Sequence, residues 1–209
     1  SSTKITMVAN GVVTPGSLPD RPTPKSEWTI GSVALFRPRK GVEVLIQALS
    51  NLRQMGEVVR LRAVGPFETV EYEETIKEMA ARLGVADMID WIGFAQNVNA
   101  EFAKMDVLVL PSLFGEGMPM VILEAMAMGV PVVASDVEGI PEVLQHAHTG
   151  LVVPAGDAPQ LASALFDLIN NKYNWAAMRA DAYSLQVKSF SDHSMAAGVA
   201  RVYNRILAR

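Results

Sequence analysis

Two stretches of the sequence carry residue types able to meet a phosphorylated, polyhydroxylated ligand. In Phe36-Arg37-Pro38-Arg39-Lys40-Gly41, three cations fall within four residues, between an apolar run and an apolar helical pattern. A phosphate there would meet Arg and Lys heads together with the free amides and positive dipole end of a helix start. The same cluster also reads as a solvated basic turn. Neither G-x-G-x-x-G nor G-x-x-x-x-G-K-[ST] occurs, so the dinucleotide fingerprint and the P-loop are both absent.

The second stretch runs from Pro111 to Ala125 and contains Gly115-Glu116-Gly117-Met118-Pro119-Met120-Val121. Gly115 and Gly117 allow a tight loop with close backbone approach, and Pro119 suits the first turn of a helix. The spacing predicts a helix over Met118–Met128 in which Glu124 is the one charge. On an element hydrophobic all round, that carboxylate is buried, and it can only accept hydrogen bonds. Paired hydroxyls such as those of a ribose would satisfy it, as would a buried arginine or a backbone donor. Glu116, eight residues earlier, is placed at the mouth of the same cleft, within reach of a second polyhydroxyl group or simply exposed. Amides at the helix start lie between them, giving the order ribose, diphosphate, sugar. Farther on, Gly139-Ile140-Pro141-Glu142 starts another helix, with Glu142 as a first-turn stabiliser. His146, His148 and His193 read as surface or loop residues, and Met118, Met120, Met126 and Met128 as core packing.

These loops need a scaffold, and the hydrophobic pattern supplies one. Strands are predicted at Ile30–Phe36, Val58–Val64, Met88–Ile92, Val107–Leu110, Val130–Ala134 and Gly150–Val153. Helical patterns alternate with them at Val42–Leu52, Val70–Leu83, Val98–Lys104 and Met118–Met128. Asp157 opens a further helix with Gln160 completing a capping box, and Trp175–Tyr183 and Ser191–Leu207 end the chain. Alternating strands and helices imply an α/β fold: a doubly wound, mostly parallel six-stranded sheet, with ligands beyond the carboxyl ends of the strands. Ile5–Val8 reads as a short strand closed by Asn10-Gly11. Residues 1–27, with Pro15, Pro19, Pro22 and Pro24, read as a linker segment, and 28–209 as the ligand-binding domain.

Composition narrows the classes. Of 209 residues, 18 are Lys or Arg and 22 Asp or Glu, a net charge of −4, so no global basic field gathers nucleic acid. With no cysteine and three histidines, there is no thiol chemistry and a poor metal set. No apolar run reaches the roughly 18–20 residues of a membrane span. Cytoplasmic location is expected, with the full-length form able to lie peripherally at a membrane.

Glu116 through Ser135, followed by Gly139-Ile140-Pro141-Glu142, resembles the Glu-x7-Glu signature of retaining GT-B glycosyltransferases of family 4, the glycosyl transferases group 1. Asn10-Gly11-Val12, Lys40-Gly41, Gly65-Pro66, Gly93 and Thr149 to Pro154 fall in the family's order. The resemblance covers almost the whole chain and implies the C-terminal, donor-binding domain of such an enzyme, with an N-terminal domain carrying the acceptor site. It implies a UDP-, GDP- or ADP-sugar donor, retention at the anomeric carbon, and no cofactor or essential metal. Carried over, Glu124 holds the ribose and Glu116 the donor sugar, while Gly117, Met118 and Pro119 form the loop over the diphosphate. Met120, Val121 and Gly65 belong to the same nucleotide-sugar set, and Gly93-Phe94 lies against the base. Lys40 stabilises the departing diphosphate. Leu35 stands where the family often has arginine, and Arg37 is offered in its place. A separate donor-binding subunit and a GT-B relative such as a nucleotide-sugar epimerase are the alternatives. The isolated chain is expected to bind donor but to transfer little or no sugar.

Overall fold

The computed structural model describes residues 5–208. Among these, six strands form one sheet: β1 (Trp28–Val33), β2 (Val59–Val64), β3 (Ile89–Gly93), β4 (Val107–Leu110), β5 (Val132–Ser135) and β6 (Leu151–Val153). The order is β3-β2-β1-β4-β5-β6 and every pairing is parallel. Helices α1 (Val42–Gln54) and α2 (Val70–Arg82) make the connections on one face. On the opposite face run α3 (Val98–Phe102), α4 (Met120–Ala127) and α5 (Ile140–Val143). Then α6 (Ala158–Ile169) returns to pack on α1, and α7 (Trp175–Leu185) and α8 (Asp192–Leu207) follow.

The side-chain alternation of a strand explains the two cores. In β4, Val107 and Val109 enter the core beneath α1 and α6, whereas Leu108 and Leu110 enter the one beneath α4 and α5. In β5, Val133 goes to the first and Val132 and Ala134 to the second. Helix α7 touches both, through Trp175 and Met178 on one side and Ala182 on the other. The doubly wound parallel sheet is therefore as the sequence predicts.

Several boundaries differ. The first strand starts at Trp28 and stops at Val33, because Ala34, Leu35 and Phe36 already belong to the loop that leaves it. The fifth starts two residues late, since Met128-Gly129 form the turn out of α4 and Val130-Pro131 lead from it into the strand. Pro119 is the residue before α4 rather than in its first turn, with extended backbone (ψ 113°). Ile5–Val8 is not a strand: it has no neighbour in the sheet, and only Val12 makes a single bridge, to Ser191. Asp157 does cap α6 through the Gln160 amide (2.9 Å), but the Gln160 side chain returns to the Asp157 carboxylate, not to its backbone N–H.

The proline-rich segment runs along the domain and is held by side chains. Arg21 donates to the carbonyls of Phe102, Ala103 and Met105. Arg179, stacked over Trp175, donates to the carbonyls of Gly129 (2.6 Å) and Pro19 (2.7 Å). Residues 1–4 of the predicted linker and Arg209 lie outside the described residues.

Candidate functional site

Strand order reverses between β1 and β4: the chain leaves β1 toward α1 on one face and β4 toward α4 on the other. In open α/β sheets ligands bind beyond the carboxyl ends of the strands at such a switch point. Both chemistry-bearing stretches are these two exits.

After β1, residues Pro38–Lys40 form one 3-10 turn, closed by Gly41 in the left-handed region (φ 66°). Any side chain at Gly41 would overlap the Pro111 carbonyl, so the exits can lie against each other only with glycine there. Leu113 N–H donates to the Arg39 carbonyl (2.8 Å) and stitches them together. This packing delivers the Lys40 ammonium onto the Glu116 carboxylate. Ser112 donates its hydroxyl to the same oxygen, Oε1, at 2.6 Å. Glu116 is only 5% exposed, and among the described residues its Oε2 has no hydrogen-bond partner. The alternative of a simply exposed Glu116 is excluded: it is a buried group held on one edge by a cation and a hydroxyl.

The two arginines of the basic loop separate. Arg37 turns to Glu68 (3.4 Å), and its Nε is buried without a partner. Arg39 instead donates to the Gly115 carbonyl (2.8 Å) and lies 4.0 Å from Glu116. Of the predicted cations, Lys40 shares the pocket with Glu116, and Arg39 rather than Arg37 accompanies it.

Helix α4 begins without a side-chain cap. Among the described residues the amides of Gly117, Met118, Met120 and Val121 have no protein acceptor. One turn on, Glu124 is half-buried and among the described residues its carboxylate has no donor, so burial pushes its pKa above the usual carboxylate range. Neither a buried arginine nor a backbone donor meets it. Met126 is fully buried and Met118 and Met128 partly so, but Met120 is 40% exposed, because it lies on the same open face as Glu124, one turn earlier. Met120 is therefore not a core residue.

The remaining strand exits complete the rim. Gly65 (φ 126°) donates to the Gly93 carbonyl (2.7 Å), and a side chain there would overlap the Ala34 carbonyl. Phe36, Phe67 and Trp91 pack beneath, with ring centroids 5.2–6.1 Å apart. Phe94 stands 78% exposed beyond them. After β5, Gly139 N–H donates to the Glu116 carbonyl (3.0 Å), and the Glu138 carboxylate accepts from the amides of Gly115 and Glu116 (3.0 Å each). Sequence reasoning missed Glu138 and the Ser112 hydroxyl. Ser112, four residues before Glu116 in one loop, was the only local signal of the two.

Among the described residues no three His, Asp or Glu side chains come together as a metal set, and no helix is long and apolar enough to cross a membrane. Residues 17–184 match the family model described as glycosyl transferases group 1. The chain is 33% identical over 187 residues to the phosphatidyl-myo-inositol mannosyltransferase of Mycobacterium leprae, covering 85% of this chain and 47% of that protein. It therefore spans about half the length of this relative. Among solved structures, Anabaena Alr3699/HepE in complex with UDP superposes with a TM-score of 0.80 at 24% identity, over 86% of this chain and 49% of that one. The C-terminal domain of the group 1 family protein LpcC from Francisella tularensis superposes with a TM-score of 0.72 at 21% identity, over 79% of this chain and 87% of that domain. The fold is thus that of one Rossmann-like half of a GT-B protein, and the chain belongs to the glycosyl transferases group 1 family.

Proposed function

We propose that this domain binds a nucleoside-diphosphate sugar in the crevice between the β1 and β4 exits, as the donor half of a longer retaining glycosyltransferase. The observation that carries the reading is Glu124: a half-buried carboxylate without a donor among the described residues, one turn behind helix amides that have no protein acceptor. Vicinal ribose hydroxyls supply the missing donors, and the diphosphate then falls on the amides of residues 117, 118, 120 and 121. The HepE structure named above holds UDP, and the mycobacterial relative is named as a mannosyltransferase; both support a sugar nucleotide as the ligand.

The residues divide the work along the ligand. Lys40, whose ammonium has three donors, can keep Glu116 and still reach a phosphate oxygen. As the glycosidic bond breaks, negative charge grows on the diphosphate, and a fixed cation beside helix amides stabilises it where a divalent ion otherwise would. Glu116, held through Oε1, offers Oε2 to sugar hydroxyls. Gly93-Phe94 lies against the base. The acceptor and its site belong to the N-terminal portion of the longer protein, so this chain alone binds donor and transfers little or no sugar.

Thermal unfolding with UDP-glucose, GDP-mannose and ADP-glucose, each against its free nucleotide, tests the proposal. A ligand at a hundred times its Kd stabilises by about 2.7 kcal/mol, which moves the midpoint of a domain this size by about 5–10 °C. If none of the three shifts the midpoint more than inorganic phosphate does, the site is not a nucleotide site.

A further inference from the structure

Glu138 is one of three non-glycine residues with positive φ among the described residues, at φ 33°. A side-chain-bearing residue is strained there, and glycine would relieve the backbone. What the glutamate gains is a grip on the neighbouring exit. Its two carboxylate oxygens divide between consecutive amides, Gly115 N–H to Oε1 and Glu116 N–H to Oε2, both at 3.0 Å. The next residue completes the hold: Gly139 N–H takes the Glu116 carbonyl at 3.0 Å, and a Cβ at Gly139 would overlap the Gly117 carbonyl. Both backbone polar groups of Glu116 are therefore held from the β5 exit.

The held loop needs such a hold. Gly115 (φ 78°) and Gly117 flank Glu116, and a chain with glycine on each side of a residue has many orientations to lose. Arg39 fixes the Gly115 carbonyl from the opposite wall, at 2.8 Å. Within this frame the Glu116 side chain meets Lys40 and Ser112 through one oxygen only, leaving the other edge directed. The two amides also hold the Glu138 carboxyl below its usual range, with Arg39 adding to the effect, so it stays ionised near neutral pH.

We infer that Glu138 is a positioning residue, which aims Glu116 at the donor sugar by fixing that residue's backbone from the adjacent strand exit. The inference rests on the reading that Glu116 faces the sugar. Its consequence is selective: loss of the Glu138 carboxylate weakens the grip on the sugar more than that on the nucleotide, which Glu124 and the first α4 amides hold apart from the Glu116 loop.

The test measures affinities of this chain for UDP-glucose and UDP, GDP-mannose and GDP, and ADP-glucose and ADP, in the wild type and in Glu138→Gly, Glu138→Gln and Glu116→Ala. For the pair bound best, Glu138→Gly should weaken the sugar nucleotide by about tenfold, as expected for losing charge-assisted hydrogen bonds, and the free nucleotide by less than about twofold. Its thermal midpoint should not fall, since the backbone strain is relieved. Glu138→Gln, which keeps one acceptor oxygen, should recover part of the sugar affinity. The inference is overturned if Glu138→Gly binds the sugar nucleotide as the wild type does, if it loses sugar nucleotide and nucleotide equally, or if Gln behaves like Gly. When Glu116→Ala still loses the sugar contribution in those cases, positioning alone has failed; when wild type prefers none of the six ligands to inorganic phosphate, the donor-site reading falls and takes the inference with it.

Discussion

Glu124→Gln should make the empty protein more stable and its nucleotide site weaker. The wild-type carboxylate is half-buried in α4 with no donor to meet it, and burial raises its pKa. An unsatisfied buried polar group costs about 1–3 kcal/mol, and partial solvent access places this one at the low end, about 1 kcal/mol. Glutamine keeps the shape and helix propensity but removes the charge. The ligand-free midpoint should therefore rise by about 2–4 °C at neutral pH. Affinity moves the other way: losing the charged acceptor for ribose hydroxyls, at about 1.5–3 kcal/mol, weakens free nucleotide and sugar nucleotide alike by about tenfold to a hundredfold. The stability gap has a pH signature. A carboxyl whose pKa is raised in the folded state holds its proton more tightly when folded, so wild-type stability falls as pH rises through the window between the unfolded and the raised folded value. The gap between Gln and wild type should open across that window and vanish below it. Thermal melts from acid to neutral pH, with a calorimetric titration of nucleotide, read both effects. A Gln variant that is less stable at neutral pH, or that binds nucleotide as the wild type does, refutes the argument.

Lys40→Met leaves the Glu116 charge with the Ser112 hydroxyl and the more distant Arg39, 4.0 Å away. Breaking a buried pair of this kind costs about 3–5 kcal/mol, and adding Glu116→Gln should restore most of the loss; additive losses in the double-mutant melt would show that the pair is not coupled. Gly139→Ala meets no backbone penalty, since φ is −80°, but its methyl overlaps the Gly117 carbonyl. A cost of about 1–3 kcal/mol, a fall of about 2–12 °C, is expected; an unchanged midpoint would mean that the two exits do not touch.

How far the sequence reaches depends on whether a residue's surroundings are local. Val107–Leu110 is found with both ends correct, because an aliphatic run buried on both faces can be little else. The first strand is misplaced because Phe36 is apolar for another reason: it packs under Phe67 and Trp91 in the exit loop. Hydrophobicity reports burial, and burial is not confined to strands. Likewise Trp175–Tyr183 carries on to Leu185 and into a π-helical turn at Gln186–Phe190, where Gln186 and Phe190 are buried. Glu124 is legible at the site because a lone charge in an apolar helix is conspicuous, and Lys40 because three cations share a turn. The separation of Arg37 from Arg39 is not: alternate residues on one exit point to Glu68 and to Gly115, and only the packing of three exits decides which goes where.

The same packing accounts for how the proposed anion site fits a chain with a net charge of −4. Long-range attraction would not gather a diphosphate, and the cation at the centre, Lys40, is already paired with Glu116. What remains is a local asymmetry. The Glu138 carboxylate is committed to amides of the β4 exit and Glu116 to Lys40 and Ser112 through Oε1, whereas among the described residues the first α4 amides are left without acceptors. A diphosphate bound as proposed would displace no protein partner from those amides and would take a second face of an ammonium already fixed in place. Glu124, half-buried and without a donor among the described residues, sits a turn beyond them, where the proposed ligand would bring its ribose hydroxyls. In the proposed site the order ribose, diphosphate, sugar follows from Glu124 without a donor, the α4 amides without acceptors, and Glu116 held through one oxygen only.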